Sequence, residues 1–149
     1  MASPSKSKVC FFSDDRTATL QNRTELKKFI ESLFKKEGKV LEALNYIFCS
    51  DQKLLEINQQ YLAHDYFTDI VTFELSSKGS PIVGEVYISL DRVRENSTNL
   101  SVSFKSELHR VIFHGALHLC GFKDKSKLET QTMREKEATY LRNYGIDVP

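Results

Sequence analysis

The segment His114-Gly115-Ala116-Leu117-His118-Leu119-Cys120-Gly121-Phe122-Lys123-Asp124 constrains this chain more than any other. It requires an apolar helix that carries two imidazoles on one face and stops at a glycine. At 3.6 residues per turn, positions 114 and 118 lie about 40° apart around the axis and one turn apart along it. Two ring nitrogens so placed can meet on one metal ion without backbone strain. Asp124 would point away on a continuing helix. Gly121 can take the left-handed conformation that ends a helix, so the chain can turn back and bring the carboxylate to the same point. Three protein ligands with an open position are the pattern of a catalytic zinc site. A bare pair of histidines at this spacing also occurs in ordinary cores; the glycine and carboxylate downstream separate this pair from those. Cys120, on nearly the opposite side of the helix from His118, reads as a small core residue.

The rest of the chain predicts elements that could bury such a helix. Val9 to Ser13 reads as a strand. Leu26, Phe29, Ile30, Leu33 and Phe34 fall at helical spacing within Arg23 to Lys36, with Gly38 as the stop. Leu44 to Cys49 reads as a second strand. Asp51 is placed to cap a helix carrying Leu54, Leu55, Asn58 and Tyr61. Asp69 to Leu75 and Val83 to Ser89 read as strands around the turn residues of Ser76 to Pro81. A short helix follows from Leu90 to Asn96. Ser103 can cap the histidine helix, with Phe104, Leu108, Val111, Ile112 and Leu119 facing the core. Ser126 to Glu129 is a capping-box pattern, and the last helix runs to Tyr144. The expectation is a single α+β domain over residues 1–149: a small mixed β-sheet packed against helices, with the metal site on a long buried helix.

At 149 residues the chain is long enough for one well-buried domain and short for two. Its net charge of +1 advertises no global basic field, so any polyanion must meet a local patch. Cys10, Cys49 and Cys120 show no paired spacing, which points to a reducing, cytoplasmic setting. No apolar run approaches 18 residues, so neither a membrane span nor a signal peptide is expected. Met1 to Lys8, rich in Ser and Lys, is expected to fray.

A zinc ion on three protein ligands lowers the pKa of a bound water toward neutrality and polarises a phosphoryl or carbonyl oxygen. Phosphodiester and amide hydrolysis would both be served. In the H-E-x-x-H zinc peptidases a glutamate general base follows the first histidine. Gly115 stands there in this chain, which disfavours a peptidase. A carboxylate ligand lowers the site's positive charge and makes harder divalent ions more competitive.

The same segment resembles the YbeY family of bacterial metal-dependent endoribonucleases, whose signature is H-G-x-L-H-L-x-G-Y/F-D-H. His114, Gly115, Leu117, His118, Leu119, Gly121 and Phe122 match it. Asn58, Tyr61, Thr68, Asp69, Val71 and Phe73 resemble the family's L-N-x-x-Y-R-x-x-D-x-P-T-D-V-L-S-F block, and Gly84 to Ser89 its G-D-I-x-I-S strand. Two departures matter. Lys123-Asp124 stands where Asp-His is usual, so the third ligand is assigned to Asp124 by position. Leu62 replaces the arginine that follows the family tyrosine.

The resemblance implies a zinc-dependent endoribonuclease with one ion per chain on His114, His118 and Asp124. Its expected work is maturation of 16S ribosomal RNA precursors and ribosome quality control, with the ribosome or small-subunit proteins as partners. The alternative is a non-catalytic ribosome-assembly factor whose ion is only structural. In the light of the resemblance, Arg110, Lys123, Lys125 and Lys127 become candidate RNA contacts, with Arg92 and Arg94 as further basic positions. Glu107, two turns before His114, reads as a solvated helix residue rather than a support for the ligands.

Overall fold

The computed structural model of the chain describes residues 7–148. The elements in order are β1 (Val9–Ser13), α1 (Arg23–Lys36), β2 (Leu41–Cys49), α2 (Asp51–Leu62), β3 (Ile70–Glu74), β4 (Ile82–Ser89), α3 (Leu90–Asn99), α4 (Phe104–Leu119) and α5 (Lys127–Asn143). The architecture is the expected α+β one, a small mixed sheet packed against helices. Of the segment expected to fray, residues 1–6 lie outside the described residues. Lys8 is tied down: its carbonyl accepts from the Leu44 amide at 2.7 Å.

The sheet order is β1-β2-β4-β3. β2 pairs in parallel with β1 and β4, while β3 runs antiparallel to β4. Parallel neighbours need long crossovers, and α1 and the α2–β3 segment supply them. Side chains alternate along β4. Ile82, Val86 and Ile88 enter the main core, whereas Val83, Glu85 and Tyr87 stay half-buried on the other face. There α2 covers a smaller cluster of Cys49, Leu54, Ile57 and Val71.

Helix α4 is buried on nearly every side, which suits an apolar helix wedged between the sheet and other helices. The Tyr46 hydroxyl on β2 donates to the Ile112 carbonyl at 2.8 Å and ties the helix to the sheet. Two glycines set how closely α4 lies down. A Cβ on Gly115 would stand 3.0 Å from Val86 Cγ1 and 3.1 Å from Ile70 Cδ1; one on Gly84 would stand 2.6 Å from Leu119 Cδ1. The close approach leaves the C-terminal half of α4 against the β3 edge of the sheet.

Some boundaries differ from expectation. β2 starts at Leu41, because Leu41 and Ala43 find partners in Ile82 and Val83 of β4. α2 is capped by Ser50, whose hydroxyl accepts from the Lys53 amide. Asp51 occupies the first helical position instead and pairs with Arg92 at 2.8 Å. α3 continues to Asn99. The caps at Ser103 and Ser126 form as expected, the latter with the full capping box of Glu129. All three cysteines are free. Among the described residues no helix is long and apolar enough to cross a membrane.

Candidate metal centre

α4 ends as its glycine requires. Gly121 has φ of 104°, its amide bonds the His118 carbonyl, and the Phe122 amide reaches back to the Leu117 carbonyl at 3.1 Å. This pairing closes the helix and reverses the chain. Asp124 thereby returns to the imidazoles. His114 Nε2 lies 3.4 Å from Asp124 Oδ2, and His118 Nε2 lies 3.5 Å from Asp124 Oδ1. One donor atom from each of the three residues falls within 4.8 Å of the other two. Donors held at roughly 2.0–2.2 Å around a tetrahedral zinc ion stand about 3.3–3.6 Å apart. The two measured distances end on different oxygens of Asp124, and it is the donor set, two imidazoles and a carboxylate with one atom of each within 4.8 Å of the others, that suits a small divalent ion. Among the described residues no fourth His, Cys, Asp or Glu joins the cluster.

The protonation states suit ligation. His114 Nδ1 lies 2.7 Å from Glu137 Oε2. An ionised carboxylate only accepts, so Nδ1 carries a proton, and it is Nε2, facing Asp124, that would serve as the metal-binding nitrogen. Burial pushes Glu137 upward, yet the His114 hydrogen bond and the charges of Arg110 and Arg134 outweigh it and hold the carboxyl below its ordinary range. His118 is shifted down, chiefly by burial and then by neighbouring His114, although Asp124 pulls the other way. A neutral imidazole is the form that binds a metal.

Behind the ligands lies a charged lattice. Glu137 is only 2% exposed. Its second oxygen accepts from Arg110 Nη1 and Arg134 Nη1, each at 3.2 Å. Arg110 forks onto Glu107 at 2.9 and 2.8 Å and lies 3.6 Å from Asp69. Glu107 is thus buried, not solvated as its sequence context suggested: it sits on the core side of α4 and is neutralised by Arg110.

The three side chains open onto a cleft of about 540 Å³. Its walls come from the end of α2, the 63–69 loop, β3, α4, Asp124 and Arg134. Arg110 lines this cleft but is engaged with three carboxylates. Lys123 lines an adjoining groove that shares His118, Leu119 and Glu74 with the cleft. Lys125 is exposed on the turn beyond Asp124, and Lys127 is exposed at the first position of α5. Arg92 pairs with Asp51 and Glu95, and Arg94 lies 4.3 Å over the Phe104 ring; neither lines the cleft. Leu62 does line it, at the position of the family's arginine.

Sequence reasoning missed Glu137 and Arg134. Glu137 hides in the charged run Arg134-Glu135-Lys136-Glu137, which reads as a solvated face. Its signal was its place on the stripe of Met133, Tyr140 and Leu141, the buried side of α5.

The comparisons with known proteins agree with this geometry. The family model described as Endoribonuclease YbeY matches residues 11–145. A protein of Cytophaga hutchinsonii named Endoribonuclease YbeY is 45% identical over 133 residues, spanning 89% of this chain and 93% of that protein. Its namesake from Christiangramia forsetii is 41% identical over 142 residues, spanning 95% and 98%. The solution structure of TM1509 from Thermotoga maritima superposes with a TM-score of 0.61 at 29% identity, covering 91% of each chain. A match over most of the sequence, relatives of nearly equal length and a shared fold lead to one conclusion: this chain belongs to the endoribonuclease YbeY family.

Proposed function

We propose that this protein is a metal-dependent endoribonuclease that cuts single-stranded RNA, with 16S ribosomal RNA precursors as its substrate. In this reading it works in the cytoplasm, with the ribosome or small-subunit proteins as partners. It carries one zinc ion per chain on His114, His118 and Asp124. The observation that supports it best is the placement of these donors on the wall of an open cleft, with an exposed guanidinium in the same wall. The relatives' name supports the choice of RNA.

A bound divalent ion would polarise a phosphoryl oxygen and acidify the attacking water. The chain's residues prepare that chemistry. Glu137 fixes the His114 ring so that Nε2 faces Asp124. Arg110 bridges Glu107 and Glu137 and so holds Glu137 in place. Arg134 has 59% of its side chain exposed and can turn its free N–H groups to a phosphate oxygen. An amide-hydrolysing arrangement is disfavoured by the packing at Gly115. A glutamate there would be driven into Val86 and Ile70, not toward the ligands.

The test is cleavage of a single-stranded RNA and a matched duplex after chelation and after adding back zinc, manganese or magnesium. The reading predicts loss of cleavage on chelation, recovery with zinc and preference for the single strand. Cleavage that survives complete metal removal contradicts it. Tight zinc binding with no cleavage of any RNA would favour the non-catalytic assembly factor.

A further inference from the structure

We infer that His64 and Tyr66 form a stacking shelf for one nucleobase of a single-stranded RNA whose backbone lies at the metal centre. The inference rests on the RNA-cleaving reading above and adds a base-binding subsite to it.

The shelf is built by a buried side chain. α2 ends where Ala63 takes a left-handed conformation, with φ of 55°. Asn58, 1% exposed, then grips the loop at two points. Its carbonyl accepts from the His64 amide at 3.1 Å, and its side-chain amide donates to the Tyr66 carbonyl at 3.1 Å. A buried residue thus fixes the backbone of the 64–66 turn through one backbone and one side-chain hydrogen bond.

What this backbone holds out is aromatic and exposed. The His64 and Tyr66 rings stack at 5.0 Å with 21° between their planes, and the Tyr66 hydroxyl lies 2.9 Å from His64 Nδ1. Tyr66 is 56% exposed. Burial in the core does not account for a ring left this open. Both residues line the same cleft as His114, His118 and Asp124. A rigid, flat π-surface beside a cation-bearing cleft is what an unpaired base needs: stacking for the ring, positive charge for the phosphate. What the loop exposes is the flat of an aromatic ring, so this subsite reads the face of the base and not its edge. The shelf is therefore tolerant of base identity and demands only that the base be unstacked. A duplex cannot present one.

The test is binding of zinc-loaded protein to a short 2′-O-methyl oligonucleotide, which resists cleavage, and to an abasic backbone of equal length. Wild type, Tyr66→Ala and Tyr66→Phe are compared. Tyr66→Ala should weaken oligonucleotide binding about 5- to 150-fold and leave the abasic backbone unaffected. Tyr66→Phe, which keeps the ring, should stay close to wild type. Unchanged zinc content and circular dichroism in Tyr66→Ala exclude a folding defect. The shelf is overturned if Tyr66→Ala binds the oligonucleotide as wild type does, or if it loses both ligands equally. In either case wild type still binds RNA, and the RNA-cleaving reading survives. If wild type binds neither ligand, both fall together.

Discussion

Glu137 shows how much a single buried carboxylate can decide. It sets the tautomer of His114, and through Arg110 it links the ligands to Glu107 and Asp69. Glu137→Gln should lower zinc affinity about 10- to 100-fold, measured by chelator competition, because the ring loses its fixed tautomer. The same change should alter the acid limb of stability. A carboxyl held below its ordinary 4.5 contributes stability that is present above that pH and disappears as pH falls through the folded value. Urea unfolding at neutral pH and at about pH 3 should therefore show a larger loss in wild type than in Glu137→Gln. An equal loss in both would mean that Glu137 is not held ionised. The convergence of His114, His118 and Asp124 was legible in the sequence, because helical spacing and a helix-ending glycine are local features. Glu137 and Glu107 were not. Their burial depends on which face of α4 and α5 the core claims, and charged neighbours mask that face.

At the scale of elements, helices with clear apolar stripes were legible nearly to their ends, as α1 at Arg23–Lys36 shows. The start of β2 was not, since Leu41 and Ala43 become strand only by pairing with β4. The close packing of α4 on the sheet was also hidden, because a glycine's lack of a side chain does not announce what approaches it. Gly115→Ala tests that packing. Val86 is β-branched and cannot swing aside freely, so the added methyl should cost about 1–3 kcal/mol even though alanine is the better helix former. Thermal or denaturant unfolding of the variant measures it. A gain in stability would mean that helix propensity outweighs the crowding against Val86 and Ile70.

Across the whole molecule, the sheet order could not be read, because strand pairing is a long-range choice that composition does not encode. The near-neutral charge, by contrast, was plain and carries a prediction. Positive potential toward RNA must be local, and Lys123, Lys125 and Lys127 cluster beside Asp124. Replacing all three with glutamine should flatten the dependence of log affinity on log salt. On a single strand the slope should fall by about 0.7 for each phosphate that the lysines neutralise in the wild-type complex. An unchanged slope would assign the backbone track to other groups, Arg134 first among them. The proposed function requires that one divalent ion held by His114, His118 and Asp124 drive RNA cleavage. It is tested most directly by measuring bound metal and single-strand cleavage together in wild type, His118→Ala and Asp124→Ala. One ion per wild-type chain is expected, with parallel loss of metal and cleavage in both variants while circular dichroism stays native. Variants that keep the ion and cut RNA at the wild-type rate would contradict it.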